Sequence, residues 1–206
     1  ITGAGADEIL EALTRSAAEK LPALPENSPR PSQFGKVFLR TLVLDYARHV
    51  TVQDLQASRR HRWKALLAGL SLLRSAGRTP ALREGLSRVK FFDLEKPFGP
   101  LTPGMEGTMT RYLRVKIQGL HFCGRGFHDR PLIEGFRSLA LLYPAIIWLS
   151  RWLAVSAGRA QIGETDVARA ISMLDDRYSY APYLSRRIRL LQQRNDIVRL
   201  CVQYAR

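Results

Sequence analysis

A chain of 206 residues, 46% of them hydrophobic, is large enough for one sizeable core, or a core with a small appendage. Its formal net charge of +14 comes chiefly from arginine and predicts attraction to an anionic partner (nucleic acid, acidic protein or membrane surface) without choosing among them. Two cysteines, Cys123 and Cys201, exclude a disulfide framework and suit a reduced, cytoplasmic setting, while the start ITGAGADEIL lacks the basic and apolar regions of a signal peptide.

That start also lacks an initiator Met, so the chain reads as a fragment of a longer protein. Ile9, Leu10, Leu13 and Ala17 recur at helical spacing, with Asp7 placed to cap them, and predict an N-terminal helix over residues 1–21. Residues 22–32 hold four prolines and form an extended linker, which makes the first helix a detachable appendage to a domain over residues 33–206. Phe34, Val37, Phe38, Thr41 and Leu42 give the next apolar face. Thr51 to Asp54 resembles a capping signal for a helix through Trp63, Leu66, Leu70 and Leu73, ended by Gly77.

Prolines and glycines from 78 to 107 predict a long connection that packs Phe91, Phe92, Leu94 and Phe98 onto the body. Helix resumes with Met109, Tyr112, Leu113, Ile117 and Leu120. After the turn HFCGRGFHDR, Pro131 opens a helix that is apolar all round, hence central, with a kink expected at Pro144. Arg137 and Arg151 bracket only 13 residues of it, against the roughly 20 a membrane span needs, so no transmembrane segment is expected. Thr165 is placed to cap a helix lined by Val167, Ala170, Ile171, Leu174 and Tyr178. A last helix stacks Leu184, Ile188, Leu191, Val198 and Val202 opposite an arginine-rich face. With no alternating strand pattern, the expected class is all-α, an irregular helical bundle.

Four constellations carry chemistry. His121, Cys123, His128 and Asp129 offer imidazole, thiolate and carboxylate around one turn, donors that suit zinc or iron. Their spacing matches no standard zinc signature; the ordinary reading is a small buried cysteine, with Asp129 capping the next helix. Glu134, in an apolar helix near His121 and His128, is a candidate general acid or base, or simply the ion-pair partner of Arg137. In SRRHRWK, Arg59, Arg60, Arg62 and Lys64 could grip phosphates around Trp63, unless Trp63 is core and the cations its solvated flank. Asp175 and Asp176 are too few to hold a cation and are expected to cap or to pair with Arg186 or Arg187. No phosphate-binding glycine loop, H-E-x-x-H, G-x-S-x-G or C-x-x-C is present, and the enzyme question stays open with no complete catalytic constellation.

RYLRVKIQGLHFCG (111–124), PLIEGFRSLALLYPAIIWLSRWLA (131–154) and DVARAISMLDDRYSY (166–180), preceded by VKFFDLEKPFGPL, together resemble the C-terminal region of bacterial cysteine-cluster proteins. These are zinc- or iron-chelating proteins distantly related to flagellin lysine-N-methylases. The resemblance covers most of residues 33–206. It implies an accessory helical region that packs against a cysteine-rich part, in the same chain or a partner, with HFCGRGFHDR as the contact. The family's chelating cysteines lie in an N-terminal cluster that this sequence lacks, so no ligand is carried over. Zinc or iron is expected only in a longer parent protein. The alternative reading is a basic helical module that binds nucleic acid.

Overall fold

The computed structural model describes residues 15, 30–47, 77–124, 127, 129, 131–178 and 196–204. The chain divides into two units, Ile1–Arg30 and Pro31–Arg206. In the first, Arg15 is helical and exposed. The expected helices over 1–21 and 51–77, the SRRHRWK segment and the arginines at 186, 187, 189 and 194 lie outside the described residues.

The second unit is all-α. Its helices are α1 (Gln33–Ala47), α2 (Phe91–Leu94), α3 (Pro103–Gln118), α4 (Leu132–Ala140), α5 (Leu142–Ser156), α6 (Glu164–Tyr178) and α7 (Asp196–Tyr204). Among the described residues the one β-type pairing is an isolated antiparallel bridge between Arg78 and Lys90. Helix α5 is the hub and packs against α1, α2, α4, α6 and α7, while α3 leans on α6. All but three residues of α5 are buried, as expected of a central helix.

Helix starts are set by short polar side chains. Ser32 caps α1, its Oγ accepting from the Gly35 amide at 3.0 Å while donating to Asp196 at 2.6 Å. The fully buried Asp196 carboxylate also accepts from the Ser32 amide, so one acid serves the positive N-terminal ends of both α1 and α7. Asp166 accepts from the Gly163 amide at 2.8 Å and takes both guanidinium nitrogens of Arg159. This is the returning half of a capping box, so the helix starts one residue before Thr165, which lies inside it. Thr102 caps α3, which begins at Pro103, well ahead of the expected Met109, because Gly104 and Gly107 are accommodated within it.

The central helix is two helices. Leu141 separates α4 from α5, and Pro144 sits in the first turn of α5. Pro144 has no N–H for the Ala140 carbonyl, and the Cys201 thiol takes that acceptor at 3.5 Å. The run Leu132–Ser156 is nonetheless long and apolar enough to cross a membrane by length and composition, longer than its bracketing arginines imply, and 83% of its apolar window is buried inside the protein. Two side-chain placements differ from the sequence reading. Phe92 is 71% exposed while Phe91, Leu94 and Phe98 are buried, because only one side of the short α2 meets α5. Helix α7 buries Ile197, Leu200 and Tyr204, which turns Val198 outward.

Candidate functional site

The joint between α3 and α4 is built by backbone chemistry. The Leu120 amide donates to Ile117 O at 3.1 Å and the His121 amide to Lys116 O at 3.0 Å, the paired bonds of a Schellman helix end. The residue at the left-handed position of that motif is usually glycine; here it is Leu120, at φ +51°. Gly124 and Asp129 are also left-handed, and the amides of Phe127 and Asp129 both donate to Gly124 O. The turn then lies flat on α4, where a Cβ on Gly135 would overlap the Phe122 carbonyl. Phe122 meets the edge of Phe136 at 6.0 Å, and Phe127 stacks on Tyr178 at 4.8 Å.

Three of the four candidate metal ligands are among the described residues. His121 is exposed and folded over Gly119. The half-buried Cys123 thiol faces the Leu120 carbonyl at 4.0 Å. Asp129 is exposed and does not cap α4; Pro131 occupies the N-cap position, and the left-handed Asp129 closes the turn instead. His128 lies outside the described residues. Among the described residues no group of three or more His, Cys, Asp or Glu side chains is placed to hold a metal ion. Glu134 is half-buried, and it and Arg137 each have an interaction partner.

What the joint presents is apolar. Leu120, Leu132, Ile133 and Phe136 are 56%, 60%, 65% and 53% exposed, all at the turn or in the first turn and a half of α4. Leu132, Ile133 and Phe136 flank the buried stripe of Gly135, Ser138 and Leu139 on α4.

A second polar cluster escaped the sequence reading. Trp148, Arg151, Trp152 and Ser156 recur along one side of α5 and hold the connection 79–98 by its polar groups. Trp152 donates to Ser87 O at 2.8 Å, Ser156 Oγ accepts from the Ser87 amide, and Arg151 donates to Leu94 O at 3.4 Å. At its centre Glu95 accepts from Arg40 at 3.0 Å, from the Tyr204 hydroxyl at 3.0 and 3.2 Å, and from Trp148 at 3.4 Å. Arg151 lies over the faces of Phe98 and Tyr204 at 5.2 and 5.0 Å. Burial holds the Arg151 guanidinium below its ordinary range, with Tyr204 and Glu95 opposing. Burial, reinforced by Glu95, pushes the Tyr204 phenol up. The signal was present in the sequence as charged residues inside apolar runs: Arg40 after Leu39, Glu95 after Leu94 and Arg151 between two tryptophans.

Asp175 pairs with the buried Lys116 and accepts from the Tyr112 hydroxyl at 2.9 Å, while Lys116 sits between the Tyr112 and Tyr178 rings. Among the described residues its partners come from α3; Arg186 and Arg187 lie outside them. In comparisons with known proteins, no family profile, curated protein or solved structure matches the chain.

Proposed function

We propose that this is the accessory helical domain of a cysteine-cluster protein, and that the α3–α4 joint is the face it offers to a cysteine-rich, metal-bearing part in the same or a partner chain. The observation that supports the reading is Leu120. A leucine in the left-handed region costs about 1 kcal/mol relative to glycine, and here its side chain is 56% exposed, at a joint whose next helix also exposes Leu132, Ile133 and Phe136. Strain that leaves an apolar side chain in water is retained when the side chain has a use. Zinc or iron belongs to the docked part, where it would supply Lewis-acid or redox chemistry. This domain's residues contribute packing and water exclusion around it, and no catalytic step is assigned to Glu134, His121 or His128.

The test is the native gene product that includes whatever precedes Ile1, purified without chelator and assayed for metal by mass spectrometry. Bound zinc or iron, lost faster to a chelator in the double variant Ile133→Ser/Phe136→Ser while the isolated domain melts unchanged, is the expected result. No metal in the native product removes the cysteine-cluster reading, and metal retention indifferent to the double variant removes the docking face. The alternative, a nucleic-acid-binding module gripping through Arg59, Arg60, Arg62 and Lys64, rests on residues that lie outside the described ones.

A further inference from the structure

The segment 78–96 crosses α5 on its way to α3 and turns a row of cations outward. Extended backbone alternates its side chains, and ahead of α2 Val89 is buried while Arg88 and Lys90 are exposed; within α2 Phe91 is buried and Phe92 exposed. The antiparallel bridge sets exposed Arg78 directly beside Lys90, fixed by the Thr79 amide on Val89 O at 2.8 Å and the Phe91 amide on Gly77 O at 3.1 Å. Lys96 returns from the far side of α2 to place its ammonium 5.0 Å from the centre of the Phe92 ring. The acid within this group is Asp93. Its carboxyl is held below the usual range by the Lys96 hydrogen bond and by the nearby charges of Lys96 and Lys90, so those two cations and Phe92 share one small area. Exposed Arg78, Arg88, Lys90 and Lys96 thus share the segment with a ring that is 71% exposed, and with exposed Glu84 at its other end, while Glu95 is taken up by Arg40 and Tyr204.

We propose that this surface is a binding platform for single-stranded nucleic acid, with Phe92 stacking on a base and Arg78, Arg88, Lys90 and Lys96 engaging the flanking phosphates. A base presents an apolar face on a polyanionic backbone, and the platform presents the complement: an exposed ring with Lys96 against it and Arg78, Arg88 and Lys90 exposed along the same segment. An anionic membrane is the weaker fit. Insertion needs a broad apolar face, and the large exposed apolar side chain of this segment is Phe92 alone, whereas the α3–α4 joint carries four. The platform is rigid, since buried Phe91, Leu94 and the Trp152–Ser87 bond fix the backbone from below. Rigid backbone under an exposed ring lowers the ordering cost of stacking.

The full chain, titrated into a fluorescein-labelled 15-nucleotide oligothymidylate from 50 to 300 mM salt, should raise its anisotropy, with affinity falling steeply as salt rises. Phe92→Ala should weaken binding about tenfold with the salt slope kept, Phe92→Trp should restore it, and Arg88→Glu/Lys90→Glu should flatten the slope by about 0.7 for each phosphate no longer engaged. Phe92 is exposed, so all variants should melt with the parent. No binding at 50 mM salt, or binding indifferent to both Phe92→Ala and the charge reversals, overturns the proposal. So does sedimentation of the chain with phosphatidylglycerol vesicles that Phe92→Ala abolishes while the oligonucleotide goes unbound.

Discussion

Leu120 occupies a backbone position that glycine fills at no steric cost. Leu120→Gly should therefore stabilise the isolated domain by about 1 kcal/mol in urea unfolding, even as it removes an apolar group from the proposed docking face. Stability rising while metal retention in the native product falls is the signature of a residue kept for binding. Glu95 is the opposite case. It pairs with buried Arg40 and its charge offsets the burial of Arg151, so Glu95→Gln weakens the charge compensation of two buried guanidinium groups. A loss of about 3 kcal/mol is expected from denaturant unfolding. Cys201 sets a pH limit. Burial pushes its thiol from 9.0 up to about 11, so the folded state keeps the proton after the unfolded chain has released it. Stability from this group is intact below pH 9 and falls away between pH 9 and 11, and melting temperatures over that range should decline less steeply in Cys201→Ala. The buried phenols of Tyr112, Tyr178 and Tyr204, all raised, add a further decline at higher pH with the same sign.

At the scale of elements, Gly135 decides how the α3–α4 joint closes. The Phe122 carbonyl fills the space where any side chain on residue 135 would project, so Gly135→Ala must push the turn off α4. About 2 kcal/mol of destabilisation is expected in thermal or urea unfolding, with the edge-to-face packing of Phe122 on Phe136 the first to separate. Which elements form was legible in the sequence where apolar periodicity is long: α1 and α6 appear where the 3.6-residue pattern places them, whereas α3 starts ahead of its pattern and the one expected central helix is divided into α4 and α5. The joint was legible as a turn between helices, but not as a Schellman end with leucine in the glycine position, because nothing in the local pattern announces a left-handed leucine. Long-range polar pairing was hidden for a similar reason. Glu95 reaches Tyr204 across 109 residues and Asp196 reaches Ser32 across 164, and spacing along a chain carries no information about either. The candidate metal turn was legible as one loop holding His121, Cys123 and Asp129, but not as a turn with left-handed backbone at Leu120, Gly124 and Asp129.

Across the whole molecule, one run of sequence has two physical readings. Leu132–Ser156 satisfies the length and composition of a membrane span, yet α5 places Trp148 and Trp152 edge to face at 5.7 Å in the centre of five packed helices. Its side chains are committed inward by polar bonds that lipid could not replace: Trp152 to Ser87 O, Trp148 to Glu95 and Arg151 to Leu94 O. A helix leaving this core for a bilayer would strand Arg151 in hydrocarbon and empty the interior that α1, α6 and α7 line. A Trp63→Phe variant reports on Trp148 and Trp152 alone. In detergent-free buffer its emission should be blue-shifted and resist acrylamide, and urea should red-shift it in a single transition that coincides with loss of helical circular dichroism. Quenching by brominated lipid in vesicles, with little quenching by acrylamide in buffer or vesicles, would place the run in the membrane instead. Coincident transitions would show that the core and the all-α fold are one cooperative unit, with the joint and the cationic platform as its two outward-facing surfaces.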